Sequence, residues 1–151
     1  MNMKRSLVCR LIDNVLLLCE DKETPTDWEW DECLGLLAEL KGKCDKSGEQ
    51  GKVLVATLGG GPNASQRKRL EIVLGGKPIP VAVISDSLKL RFITAAVALF
   101  NAEQRAFSTA ERLQAYKHLG LNGPQTRRLE SAISQMEKLV GPGAAQEPKR
   151  D

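Results

Sequence analysis

Lys52–Leu70 reads KVLVATLGGGPNASQRKRL, and its division into an apolar run, a glycine turn and a basic stretch decides the fold. Val53, Leu54, Val55, Ala56 and Leu58 form a short, nearly continuous apolar run rich in β-branched residues, which suits a strand of a parallel sheet covered on both faces. Gly59, Gly60 and Gly61 then allow backbone angles that a side chain would forbid. After Pro62, Asn63 has the chemistry of a helix N-cap, and Gln66 three residues on completes a capping-box pattern. The helix so opened is expected to run to about Leu74 and to stop at Gly75-Gly76.

Towards the N-terminus, Leu7–Ile12 and Val15–Cys19 read as two antiparallel strands around an Asp13-Asn14 turn. In that register Cys9 lies opposite Leu18 and Cys19 opposite Val8, so the two thiols face opposite sides of the sheet and cannot bond to each other. Glu20–Glu23 reads as a charged loop. Thr24-Pro25-Thr26-Asp27 looks like a helix start with proline at an early helical position. Trp30, Cys33, Leu34, Leu37 and Leu40 then repeat at helical spacing and define one apolar face, with Trp28 at its edge. Lys41–Gly51, polar and holding Gly42, Gly48 and Gly51, reads as a surface loop.

On the C-terminal side, Pro78 and Pro80 bracket the start of a strand over Pro80–Ile84, where a proline at the first position lacks only a donor that the ladder does not need. Ser85-Asp86-Ser87 caps a helix expected from about Leu88 to Phe100, with Phe92, Ile93, Ala96, Val97 and Phe100 as its packing face. Gln104–Phe107 is a short last strand. Ser108-Thr109-Ala110-Glu111 is a capping box opening a helix with Leu113, Tyr116 and Leu119, which ends at Gly120. Asn122-Gly123-Pro124 starts one more helix, striped by Leu129, Ala132, Ile133, Met136, Leu139 and Val140. That stripe suits either packing on its own domain or self-association with a second copy. Gly141–Asp151 is polar, rich in proline and glycine, and reads as a flexible tail.

The chain has 151 residues, enough for one domain with a self-sufficient core, and its net charge of +3 with few aromatic residues argues against nucleic acid. No apolar run is long enough to insert in a membrane, and a cytoplasmic protein is expected. Cys9, Cys19, Cys33 and Cys44 form no CxxC pair, so they are expected as reduced thiols rather than metal ligands. His118 is the only histidine, at a helix end where it meets the dipole and solvent, which leaves no Ser-His-Asp or Cys-His constellation without it. The acidic group Asp27, Glu29, Asp31 and Glu32 suits a helix N-terminus better than catalysis. No enzyme activity, metal or cofactor is expected.

The element order, β-β-α-β-α-β-α-β-α with a terminal helix, resembles the STAS domain, named from sulfate transporters and anti-sigma factor antagonists. The resemblance covers Leu7–Leu119. More locally, the GGGPN turn followed by a basic helix, and the strand end V-[AS]-[VI]-[VLI]-[ST]-[DN]-S, here Val81–Ser87, resemble small bacterial stand-alone STAS-like proteins. What the resemblance implies is an α/β fold: a mixed four- to five-stranded sheet with helices mainly on one face, spanning residues 1–120. An additional amphipathic helix at 121–140 and the tail at 141–151 follow it. It also implies a non-catalytic regulatory module that works by binding another protein. In the antagonist branch a serine at the start of the second helix is phosphorylated and phosphate there blocks binding. The matching position is Ser65, although the family's D-[ST]-S-G turn signature is absent.

The residues expected to meet a partner or an anion are Gly59, Gly60, Gly61, Asn63, Arg67, Lys68, Ser85, Ser87 and Lys89. Two functions stay open on sequence. One is a regulatory protein-binding face around the glycine turn and basic helix start. The other is a small anion- or nucleotide-binding site built from the Gly59–Asn63 and Ser85–Ser87 turns. Both turns follow the carboxyl ends of parallel strands, where open α/β sheets hold ligands. Arg67, Lys68 and Arg69 are expected to bring positive charge to that place.

Overall fold

A hairpin begins the fold, in a computed structural model that describes residues 5–98 and 103–140. Strands β1 (Leu7–Ile12) and β2 (Val15–Glu20) pair antiparallel in the expected register, Val8 with Cys19 and Cys9 with Leu18. Asp13 takes a left-handed φ of 55°, which a short polar side chain tolerates in a tight turn. The turn is held from both sides. Lys43 Nζ donates to the Asp13 carbonyl at 3.2 Å, and Arg128 pairs with its carboxylate at 2.6 Å.

Three β-α units follow. Helix α1 (Asp27–Ser47) leads to β3 (Lys52–Thr57), α2 (Ala64–Leu74) to β4 (Val81–Ile84), and α3 (Leu88–Ala98) to β5 (Gln104–Phe107). The sheet order is β1-β2-β3-β4-β5, with β2 to β5 all parallel. After β5, a 3-10 turn at Thr109–Glu111 leads into α4 (Arg112–His118), and α5 (Gly123–Glu137) closes the fold. The α/β class, the mixed sheet and the element order are as the sequence reads.

Alternation along the strands builds two cores. On one face Leu7, Leu16, Leu18 and Val53 meet Trp30, Cys33, Leu34, Leu37 and Leu40 of α1, with Leu70, Val73 and Leu74 of α2 at the margin. On the other, Val8, Val15, Leu17, Cys19, Leu54, Ala82, Ile84 and Phe107 meet Ala115, Tyr116 and Leu119 of the α4 region. Leu129, Ala132, Ile133 and Met136 of α5 pack into the same cluster. Right-handed crossovers in a sequentially ordered sheet direct α1, α2 and α3 to one face. α4 and α5 cover the second, so the sheet is sheltered on both sides, beyond the expected cover mainly on one face. The α5 stripe thus takes the first of its two expected fates, packing on its own domain.

Local chemistry fixes the helix ends. α1 and α2 both carry reciprocal capping boxes, Thr26 with Glu29 and Asn63 with Gln66, and α5 carries Asn122 with Gln125. Pro25 therefore precedes the cap of α1 and is not an early helical residue. α1 also continues through Gly42, where a loop is expected, to Ser47, and ends on Gly48 at a φ of 79°. The extra turns bring Lys41 to the end of α2, where Nζ donates to the Val73 and Leu74 carbonyls at 2.9 Å each. These are carbonyls that the helix itself leaves unbonded, and their need for a donor outweighs the weak helix propensity of one glycine.

Other expectations at element edges are corrected. Leu113 and Ile93 are exposed, not buried, as is Leu139, while Val140 is buried. The side chains of Phe92, Ala96 and Val97, all of Phe100, and the tail lie outside the described residues. Glu20 does not open a charged loop. It is the last residue of β2 and is buried. No helix among the described residues is long and apolar enough to cross a membrane.

Candidate functional site

The carboxyl edge of the parallel strands gathers polar residues that the apolar runs deliver there. Glu20 ends β2 and pairs in register with Thr57, which ends β3, and Ser85 follows the last residue of β4. All three are buried. Thr57 organises the glycine turn: its hydroxyl donates to the Gly60 carbonyl at 2.8 Å and accepts from the Gly59 N–H at 3.0 Å. The turn is also tied to the β2–α1 connection, because the Leu58 N–H donates to the Glu20 carbonyl and the Gly60 N–H to the Asp21 carbonyl, at 3.1 and 2.8 Å.

The three glycines differ in what they do. Gly59 has a φ of 133°, a region closed to side chains. Gly60 is required by close approach: a Cβ there would stand 2.2 Å from the Glu23 carbonyl oxygen and 2.6 Å from that of Asp21. Gly61 has nothing within 4 Å of such a Cβ. The expectation of unusual angles along the whole triplet thus narrows to its first member.

The two candidate turns meet. A Cβ built on Gly59 lies 3.5 Å from both Cβ and Oγ of Ser87. Ser87 Oγ accepts from the Leu90 N–H at 3.2 Å as the cap of α3, and the Ser87 N–H donates to Ser85 Oγ at 3.1 Å. Asp86 extends the junction to the next connection by accepting from the Thr109 N–H at 2.9 Å. That bond holds its carboxyl below the ordinary range.

Among the expected contact residues, Asn63, Ser65, Arg67, Lys68 and Lys89 are exposed, and Gly59, Gly61 and Ser87 are half-buried. Ser85 and Gly60 are buried and serve the fold, so neither offers a surface to a partner. Arg67 Nη1 donates to the Pro62 carbonyl at 2.9 Å and braces the turn. Arg69 points elsewhere: its guanidinium pairs with Asp31, and with Asp27 at 3.8 Å, which joins α2 to α1. Among the expected contact residues, the cations that make no hydrogen bond or ion pair with the described residues are Lys68 and Lys89.

Sequence reasoning passed over the buried carboxyls beneath this edge. Glu20 Oε2 is buried with no hydrogen-bond partner among the described residues, and burial, with Asp21 and Glu29 beside it, pushes its pKa up to about 8. Burial also raises Asp21. Glu29 goes the other way. Burial pushes it up, but the N–H groups of Thr26, Leu7 and Ser6 together outweigh that and hold it ionised. The available signal was Glu20-Asp21 placed directly after an apolar run, where a strand's last residue still faces the core.

His118 Nε2–H donates to the Glu103 carbonyl at 2.9 Å, and its ring lies 5.9 Å from that of Phe107, a structural role at the end of α4. Among the described residues no group of histidine, cysteine and acidic side chains could hold a metal ion. No protein-family profile, curated protein or solved structure matches the chain.

Proposed function

We propose that the protein is a non-catalytic regulatory module that binds another protein through the carboxyl edge of its sheet, around the glycine turn and the start of α2. One observation carries this reading. Leu58 and Leu88, 48% and 65% exposed, directly flank Gly59 and Ser87, where the two turns come so close that a Cβ on Gly59 would lie 3.5 Å from Ser87. Two leucines left in water beside a rigid junction, with exposed Lys68 and Lys89 near them, have the make-up of a contact surface: an apolar centre with a charged rim. Ser65, exposed in the first turn of α2, is where phosphorylation would add charge to that rim. The four free cysteines suit a reducing compartment, and we place the module in the cytoplasm.

The alternative is an anion or nucleotide site at the same two turns, favoured by their close approach. The donors weigh against it. The N–H groups of Gly59, Gly60, Asn63, Gln66, Ser87 and Leu90 are already bonded inside the protein, so the two helix starts have few left for a ligand. The buried carboxyls of Glu20 and Asp21 lie behind the same edge.

The test is capture of partners from the host lysate with wild-type protein and with the pair Leu58→Asp and Lys68→Glu. Loss of a specific partner with an unchanged melting curve supports the surface. Undiminished capture by the variant removes it. A thermal-shift response to inorganic phosphate or nucleotides would instead favour the anion site.

A further inference from the structure

We propose that Cys9 and Cys33 form a latent dithiol that closes into a disulfide between edge strand β1 and helix α1 when the protein meets a disulfide oxidant. The geometry begins with direction. α1 leaves the carboxyl end of β2 and returns to the amino end of β3, so it runs antiparallel to β2 and therefore parallel to β1. The two are pinned together at their starts, because Glu29 Oε2 accepts from the Ser6 and Leu7 N–H groups at 2.9 and 3.3 Å. From Leu7, Cys9 lies two residues along the same face of β1, an advance of about 6.6 Å. From Glu29, Cys33 lies four residues along the buried stripe of α1, an advance of about 6 Å. Equal advances from a shared anchor bring the two side chains face to face.

The packing agrees. Cys33 belongs to the apolar cluster beneath α1, and Cys9 packs against that cluster from β1. The Cys33 thiol is also the foremost influence that raises the Cys9 pKa, as expected of a near neighbour. Neither has another choice. Cys19 points into the opposite core, and Cys44 stands eleven residues further along α1, about 16 Å away. A disulfide needs Cα atoms within about 7 Å.

Access runs through one member of the pair. Cys9 is partly exposed on the edge strand, whereas Cys33 is buried. The neighbouring Cys33, burial, and the carboxylates of Glu20 and Glu32 all favour the protonated Cys9 thiol. The pair is therefore slow towards oxidants near neutral pH and faster as pH rises, since the thiolate is the attacking form. In the reaction Cys9 Sγ gives up its proton to solvent and attacks one sulfur of the oxidant, whose S–S bond breaks to release the first thiol, and a mixed disulfide forms. Cys33 Sγ then attacks Cys9 Sγ, loses its own proton and expels the second thiol. One oxidant disulfide is reduced to two thiols and one protein disulfide forms.

The experiment treats the full chain with 4,4′-dithiodipyridine under native conditions across a pH series. Expected are a loss of two hydrogens in intact mass with no pyridyl adduct, a Cys9–Cys33 linked peptide on digestion, and a rate that climbs with pH. The bridged form should melt higher by about 5 °C or more, since the bond closes a loop across the β2 hairpin and the first turns of α1. Dithiothreitol should restore the original melting curve. Cys9→Ser and, separately, Cys33→Ala should each abolish the mass loss. Persisting pyridyl adducts on Cys9, a bridge that uses Cys19 or Cys44, or a bridged form that melts lower than the reduced one would each overturn the assignment.

Discussion

The indole N–H of Trp30 donates to the backbone carbonyl of Gln66 at 2.9 Å, inside the protein. This bond joins the buried face of α1 to the first turn of α2, and the Gln66 side chain completes the joint. Its Nε2 donates to the Pro25 carbonyl at 2.9 Å and to Asp27 at 3.1 Å, while its Oε1 accepts from the Asn63 N–H at 3.0 Å. A residue chosen by the sequence as half of a capping box is thus also the bolt between two helix starts.

Gln66→Ala should accordingly cost about 2–4 kcal/mol, more than the loss of a cap alone, because it leaves the Pro25 carbonyl and the Asn63 N–H without partners. Urea unfolding measures the difference. A cost below about 1 kcal/mol would reduce Gln66 to an ordinary cap.

The glycine triplet should divide sharply on substitution. Gly60→Ala forces a Cβ into two backbone carbonyl oxygens, and the loop must break its bonds to Asp21 to admit it. A loss of about 3 kcal/mol or more is expected. Gly61→Ala meets open space and should change stability by less than about 0.5 kcal/mol. Thermal melts of the two variants side by side check the contrast.

Glu20 gives the stability a pH signature. Its unfolded carboxyl titrates near the ordinary value of 4.5, and in the fold it holds its proton up to about 8. Below the unfolded value both states are protonated and its contribution is fully present. As pH rises from about 4.5 towards 8 the unfolded chain gives up this proton while the folded chain keeps it, so stability falls by at most about 1.4 kcal/mol per pH unit and levels off above 8. Glu20→Gln should flatten that decline between mildly acidic and mildly alkaline pH. Parallel slopes for the two proteins would dismiss Glu20 as the source.

Ser65→Asp tests the modification site without a kinase. The first turn of α2 holds no acidic residue, so a carboxylate there meets the helix dipole and should raise stability by about 0.3–1 kcal/mol. On the proposed function it should also weaken partner capture, and a variant that is both stabilised and fully competent in capture would separate Ser65 from the surface.

The sequence is most legible where the signal is local. Asp13-Asn14 sets the hairpin register, and Asn63–Gln66 and Asn122–Gln125 set helix starts, because each depends on residues within one turn of the chain. The end of α1 is different. Gly42 and the lysines around it look like a loop, and it is contacts distant in sequence, Lys41 to the Val73 and Leu74 carbonyls, Lys43 to that of Asp13 and Cys44 against the core, that keep this stretch helical. The candidate surface is similarly divided. Its turns were readable from glycine and cap chemistry. The diversion of Arg69 to Asp31 and the burial of Ser85 and Glu20 depend on elements brought together by the sheet.

The strand order carries a last consequence, for the time before the fold is complete. Each strand pairs with its predecessor in the chain, so the sheet can grow one unit at a time as the polypeptide leaves the ribosome. The face that holds Leu17, Cys19 and Leu54 is different, because its cover comes from α4 and α5, at the far end of the chain. Until Met136 has been synthesised and has docked, a nearly finished sheet presents that apolar face to water, and the nascent chain is most exposed to aggregation just before its last helix arrives.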